Sequence, residues 1–417
     1  MPDRRLRRWG RLLLLLLSVP LGVLGAVVGF FGMAFVTSSV PILALTGVLA
    51  LLLLTGWLSG LACRGMFGRR RKLRRWLPVS VTGAALFVAG LTAGVLVFQP
   101  MDVSYVPKEP TDRTRYWDLP TGSRLAYALT PAEGAPKPTP VVMLHGGPGA
   151  PGSFEPRRED RVLSEAGFDV YRYDQVGAGL SERLEEVDGY TVGRHVEDLE
   201  AIRKEIGADR LILIGGSWGG TLAAHYMASH PDKVEKAVVS SPGAIWAPAF
   251  ADEGVSHGPE GEIISDAATL RFVAVLVLQQ INPEAAQNLA PDREMSAFFQ
   301  RLIGRIIASD TAGCGARGEA IEPPSEPRIP RGFSYYANAL TVASINRVED
   351  PRPALEDVET PVLVLRGECD RLRGAVTREY RDVFPNATLL VIEGASHSIG
   401  DSRPVLYADL VHSFLTE

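Results

Sequence analysis

Apolar residues fall in two regimes along this 417-residue chain. In the first hundred residues they run almost unbroken: Leu12–Val36, Val40–Cys63 and Leu77–Phe98 contain no charged residue. At 1.5 Å rise per residue, a helix of about 20 residues crosses the roughly 30 Å hydrocarbon layer of a bilayer, so each run is long enough. The pattern predicts a membrane region over 1–100, with transmembrane helices at 12–36, 40–63 and 77–98. Pro20 and Pro41 are tolerated better there than in a water-soluble helix. A cleaved leader is disfavoured, because the first run is 25 residues long and a leader's apolar core has about 7–15.

Beyond the membrane region the period changes. Residues 101–113 are polar and proline-rich and read as a semi-rigid linker. A hairpin is predicted from Thr114–Asp118, a turn at Pro120–Gly122 and Arg124–Leu129. Short apolar runs then alternate with helical stripes. Strands are expected at Val141–Leu144, Asp169–Tyr173, Leu211–Ile214, Val234–Ser240, Pro361–Arg366 and Thr388–Glu393. Helices are expected at Thr191–Ile206, Thr221–Ser229 and Pro404–Leu415. Continuous apolar strands alternating with helices predict a mostly parallel sheet covered by helices on both faces. The alternation lapses over 243–360, where helices are expected at Ala267–Ile281, Glu294–Ala308 and near Phe333–Arg347. This is read as an inserted helical cap between two core segments, 114–242 and 361–417. Its most apolar run, Phe272–Leu278, is too short to span a bilayer.

Charge sharpens the division. Residues 1–100 hold 12 Lys/Arg and one acid, leaving 31 basic and 47 acidic residues, a net of −16, for 101–417. Such an acidic portion argues against a nucleic-acid partner. The basic residues cluster at Arg4–Arg11 and Arg64–Arg75, and the link at Thr37–Ser39 has none. Positive segments stay in the cytoplasm, so the N-terminus and the 64–76 loop are expected inside. Everything after Phe98 is then expected on the extracytoplasmic side of the cell membrane. The absence of charge within the spans argues against an ion or proton pathway. The spacing of Cys63, Cys314 and Cys369 matches no metal site, and whether Cys314 and Cys369 pair is open at this stage.

The candidate chemistry sits at strand ends. Gly215-Gly216-Ser217-Trp218-Gly219-Gly220 contains G-x-S-x-G between an apolar strand and a helix, the setting of a nucleophile on a sharp turn. His145-Gly146-Gly147-Pro148-Gly149 follows an earlier strand, where a second oxyanion donor is needed. The backbone N–H groups of Gly147 and Trp218 are therefore the candidate oxyanion hole, with His145 positioning the loop rather than acting as base. An acid and then a histidine should follow. Asp370, after the 361–366 strand, is the candidate acid, with Glu368 its nearest rival. His397, after the 388–393 strand, is the candidate base. His225 and His412 fall inside helices and read as structural, and His195, His230 and His257 as surface or cap residues.

Together with Asp174–Ser181, these motifs resemble the α/β-hydrolase superfamily, and within it the proline iminopeptidase-like serine hydrolases. The resemblance covers about Thr114–Leu415 and leaves out the membrane segment. It implies an α/β-hydrolase fold, a Ser217–His397–Asp370 triad, and hydrolysis of a small peptide or ester through an acyl-enzyme with no cofactor or metal. One departure stands out. Members of that branch carry a tryptophan-rich cap motif with glutamates for the substrate amine, whereas this cap has a single tryptophan, Trp246. Glu253, Glu260, Glu262 and Asp266 are available acids, and no substrate-binding residue is assigned. A carboxylesterase- or lipase-type hydrolase and a catalytically silent binding domain on a membrane anchor are the alternatives. The bilayer is the expected partner of residues 1–100.

Overall fold

The computed structural model describes residues 2–67, 70–253, 270–312 and 331–417. They form two compact units: Met1–Asp102 with Ile264–Pro291, and Val103–Ile263 with Asp292–Glu417.

The first unit is helical. Helix α1 (Pro2–Met33) ends three residues before the first apolar run does, and the last residues of that run, 34–36, form a turn. Helices α2 (Val40–Met66) and α3 (Arg71–Ala93, prolonged by a π-turn over Gly94–Phe98) contain the second and third apolar runs. Stretches Arg7–Met33, Val40–Met66 and Lys72–Phe98 are long and apolar enough to cross a membrane. The helices extend beyond the apolar runs into the arginine-rich flanks, since backbone hydrogen bonding does not stop where hydrophobicity does. Small residues let α1 and α2 approach closely. A Cβ on Gly25 would strike Leu54, one on Gly29 would lie 3.2 Å from the Thr46 carbonyl oxygen, and one on Gly47 would lie 3.0 Å from that of Ala26. Gly25 and Gly29 form a G-x-x-x-G pair, the pattern that favours close helix approach in lipid. The unit also contains two helices from the 243–360 stretch, Leu270–Ile281 and Pro283–Leu289.

The second unit is built on an eight-stranded sheet. Its strands are β1 (Arg115–Asp118), β2 (Arg124–Thr130), β3 (Val141–Leu144), β4 (Val170–Tyr173), β5 (Leu211–Gly216), β6 (Val234–Ser240), β7 (Val362–Gly367) and β8 (Ala387–Ile392). Their order is β1-β2-β4-β3-β5-β6-β7-β8. The β1–β2 and β2–β4 pairs are antiparallel and every other pair is parallel. All four residues of β3 and the first five of β5 are buried, as strands covered on both faces require. Val141, Ile212, Val238 and Leu363 share a core with Tyr407, Val411 and Leu415 of the closing helix Pro404–Thr416. Helix Val192–Ile206 starts where the Thr191 hydroxyl accepts the Arg194 N–H and ends at Gly207 in the left-handed region.

The strands predicted from sequence fall within two residues of these limits. Two helices beside the sheet, Arg158–Glu165 and Gly374–Val383, were not predicted. Residues 103–113, read as a linker, belong to this second unit and are docked on it. Gln300 Nε2 donates to the Val106 carbonyl at 2.8 Å, and the Val106 N–H donates back to Gln300 Oε1 at 3.0 Å.

Where the chain leaves β6 and later returns, side chains clamp both crossings. The Ile245 N–H donates to Glu379 Oε2 at 2.9 Å, and Tyr380 Oη donates to the Gly243 carbonyl at 2.8 Å. Trp246 Nε1 donates to the Val348 carbonyl at 3.2 Å, with Arg352 stacked 4.8 Å over its ring. Arg352 also pairs with Asp350 at 2.5 Å and lies 3.6 Å from Glu379. Burial pushes the Glu379 carboxyl up to about 7, against the opposing pull of the Ile245 N–H and Arg352. A carboxyl whose pKa is raised on folding binds its proton more tightly in the folded state, so stability falls as pH rises from about 4.5 to 7. Glu379→Gln is expected to remove this component. Thermal midpoints measured from pH 5 to 8 should decline less for the variant than for the wild type, and parallel declines would exclude the clamp as a titrating element.

Candidate active site

The elbow at the end of β5 holds one of the two non-glycine residues at positive φ among the described residues, the other being Ser241. Ser217 has φ 52° and ψ −121°, a conformation a side-chain-bearing residue adopts only under constraint. The flanking glycines make it possible: a Cβ on Gly215 would strike the Gly219 carbonyl, and one on Gly219 the Leu144 carbonyl. The Ser217 N–H is held by the Ser240 carbonyl at 3.0 Å, and its own carbonyl accepts from Gly220 and Gly243. Ser217 occupies the N-cap position of helix Trp218–Ser229 without a side-chain capping bond, and the first amides of a helix favour developing negative charge.

The acid and base candidates meet directly. His397 Nδ1 donates to Asp370 Oδ1 at 2.7 Å, with both residues buried. When the ring is neutral, that bond holds its proton on Nδ1 and leaves Nε2 as the acceptor. Burial raises the Asp370 carboxyl, but the His397 hydrogen bond and charge, the Leu372 N–H (2.9 Å) and Arg366 outweigh it and hold it below its ordinary value. Glu368, the rival acid, instead accepts the Gly394 N–H at 2.9 Å. The two loops are stitched by Glu368 N–H to the Ile392 carbonyl and Cys369 N–H to that of Ala395, each at 3.0 Å. Cys369 is disulfide-bonded and Cys63 is free and buried, while Cys314 lies outside the described residues. Parallel β5, β7 and β8 bring Ser217, Asp370 and His397 to the same end of the sheet. The Ser217 hydroxyl is not hydrogen-bonded to His397; such pairs often tighten only once substrate is bound.

Gly146 stands against the elbow. A Cβ on Gly146 would lie 3.0 Å from that of Ser217, and Gly147 has φ 49°. His145 Nε2 accepts the Gln175 N–H at 2.9 Å, so its proton is on Nδ1, which donates to the Gly146 carbonyl at 3.0 Å. Burial lowers the His145 pKa and keeps the ring neutral. Gln175 Nε2 donates to the His145 carbonyl at 3.0 Å, and Trp218 Nε1 to Gln175 Oε1 at 2.7 Å. His195 is not a surface residue: it is buried, 5.4 Å from the Trp218 ring, with Nε2 3.1 Å from Thr341 Oγ1, and burial pushes it down to about 3. His257, Glu260, Glu262 and Asp266 lie outside the described residues.

One contributor, Lys108, escaped sequence reading; its partner Asp174 belongs to the segment 174–181 that the resemblance singles out. The buried Asp174 carboxylate accepts the N–H groups of Gly152 (2.8 Å) and Leu180 (2.9 Å) and an ion pair from Lys108 Nζ (2.7 Å). Lys108 Nζ also donates to the Gly152 carbonyl at 3.0 Å and sits 3.6 Å over the Phe154 ring. A lone lysine among prolines gives no sequence signal for this role. Removing one partner of a buried pair leaves an uncompensated charge, so Lys108→Met is expected to lower unfolding stability by about 3 kcal/mol. Denaturant titration checks this, and an unchanged midpoint would exclude the pair as a support of the loop.

A family model described as the alpha/beta hydrolase fold matches residues 139–404. The chain belongs to the α/β-hydrolase family. It is similar to the proline iminopeptidase of Saccharolobus solfataricus, 35% identical over 303 residues, covering 71% of this chain and 90% of the relative. The proline iminopeptidase of Lactobacillus delbrueckii subsp. lactis is 25% identical over 308 residues, covering 71% and 96%. Among solved structures, an esterase from Exiguobacterium antarcticum superposes with TM-score 0.53 at 18% identity, covering 72% of this chain and 99% of that one. These relatives put this α/β-hydrolase in the proline iminopeptidase-like branch, and it is a serine hydrolase enzyme.

Proposed function

We propose that this α/β-hydrolase is a membrane-anchored enzyme that cleaves a small peptide, in the manner of an aminopeptidase, or an ester. The Asp370–His397 hydrogen bond, at the sheet end that also carries the strained Ser217, is the observation that carries this reading. Ser217 Oγ attacks the carbonyl carbon while His397 Nε2 takes its proton, and Asp370 stabilises the resulting imidazolium. The N–H groups of Gly147 and Trp218 hold the oxyanion, each worth roughly 3–4 kcal/mol. The tetrahedral adduct collapses, the leaving amine or alcohol takes the proton from His397, and an acyl-enzyme remains. Water, deprotonated by His397, then attacks the acyl carbon, and as the second adduct collapses His397 returns the proton to Ser217 Oγ and the acid is released.

The helices α1–α3 support anchoring, and the arginine clusters support a cytoplasmic N-terminus and an extracytoplasmic catalytic domain. The names of the curated relatives favour a peptidase. A specific observation favours the ester reading: Trp246 has its indole committed to Val348 and Arg352. Full-length enzyme in detergent, assayed on prolyl- and other aminoacyl-naphthylamides beside p-nitrophenyl esters, tests the choice. Prolyl-naphthylamide turnover supports the peptidase, and ester turnover alone supports the esterase. No turnover together with no fluorophosphonate labelling would leave a silent binding domain.

A further inference from the structure

The last carbonyls of a membrane-spanning helix have no intrahelical partner, and at the edge of the hydrocarbon layer they take one from water or from nearby protein donors. In the first unit such donors come partly from a segment far away in sequence. Asn282 Nδ2 donates to the Ala34 carbonyl, just past the end of α1, at 3.0 Å. Asn288 Nδ2 donates to the Ser38 carbonyl, in the turn between α1 and α2, at 3.2 Å. Arg271 donates to the Val97 carbonyl, in the last turn after α3, at 2.7 Å, and to the Leu289 carbonyl at 2.7 Å. All three acceptors lie at one end of the three helices, opposite the arginine-rich flanks. Arg271 adds a positive charge where the helix dipole is negative.

The helix carrying Arg271, Leu270–Ile281, has one charged residue, already committed to those carbonyls. Its face at i, i+3 and i+7 is apolar and open: Leu270 is 52% exposed, and Val273 and Val277 are 39% exposed. Twelve residues make about 18 Å of helix, too short to cross a bilayer and sufficient to lie on one. A helix tied to the ends of spanning helices sits at the depth of the headgroup–acyl boundary, where such a face is buried in lipid.

We infer that Leu270–Leu289 is a second membrane element, an interfacial helix pair whose Leu270–Val273–Val277 face rests on the lipid bilayer. The inference rests on the membrane-anchor reading and extends it from the N-terminal region to a segment inside the cap sequence. It also gives a role to the exposed residues of the apolar run Phe272–Leu278, Val273 and Val277, while Phe272, Ala274, Val275 and Leu278 are buried.

The test uses the full chain in phosphatidylcholine vesicles. An environment-sensitive fluorescent amino acid is placed at Val273, at Leu53 within α2 as the lipid-facing reference, or at Lys204 as the water-facing reference. Doxyl-labelled phosphatidylcholine is the quencher. The expected result is blue-shifted, quenched emission at 273 and 53 and neither effect at 204. Emission at 273 like that at 204, with 53 quenched, leaves the anchor standing and overturns this inference. Blue-shifted but unquenched emission at 273 means that protein, such as a second copy of the chain, covers the face, and also overturns it. Absence of quenching at 53 overturns the anchor reading itself.

Discussion

Ser217→Ala is expected to lower kcat by roughly 10⁴- to 10⁶-fold and to abolish labelling by a fluorophosphonate probe, with the fold intact. Alanine keeps a Cβ at φ 52°, so the variant neither relieves nor adds backbone constraint at the elbow. The Ser217 N–H and carbonyl, bonded to Ser240, Gly220 and Gly243, are unaffected by loss of the hydroxyl. The change therefore removes a nucleophile and little else. Kinetics on whichever amide or ester the wild type turns over, with a thermal midpoint as control, check the outcome. Turnover within tenfold of wild type, or labelling that persists, would place the nucleophile elsewhere.

The strands were legible because they are continuous apolar runs. Val141–Leu144 and Val234–Ser240 have the same limits by pattern and by structure. The helices Arg158–Glu165 and Gly374–Val383 were not, because each buries a narrow stripe under a charged surface. Leu163 in the first and Val376 and Tyr380 in the second are the large apolar residues committed to burial. No period emerges from so few positions, and tertiary packing decides those helices.

At the candidate site, order along the chain did most of the work. A histidine after the last strand and an acid after the preceding one picked out His397 and Asp370, which are hydrogen-bonded. Sequence alone could not separate Asp370 from Glu368, two residues apart. That separation depends on loop geometry, which turns Glu368 toward the Gly394 N–H. Lys108 and Asp174, 66 residues apart, meet through tertiary packing alone. The same holds for Asn282 and Asn288: two asparagines in a helical stretch carry no sign that their amides bond to carbonyls some 250 residues earlier.

Asp370→Asn separates orientation from mere presence of the base. In the wild type the carboxylate can only accept, so His397 carries its proton on Nδ1 and offers Nε2 to the serine. An asparagine that donates its N–H₂ reverses the bond. Nδ1 becomes the acceptor, the proton moves to Nε2, and the ring can no longer take the Ser217 proton. The expected loss in kcat is about 10⁴-fold, with KM changed little, because the ground-state contacts to substrate are retained. The Asp370 carboxyl lies below its ordinary value, so it is ionised throughout the working pH range, and the acid limb of a wild-type pH–rate profile should not come from it. The folding contribution of that lowered pKa is present above the unfolded value of 3.8 and lost only as pH falls through the folded one. Between pH 6 and 9, wild type and variant should therefore differ by a nearly constant offset in stability while differing enormously in rate. Comparable turnover by the two would mean that another group orients the base, and Glu368, which holds the neighbouring loop, would be the next residue to replace.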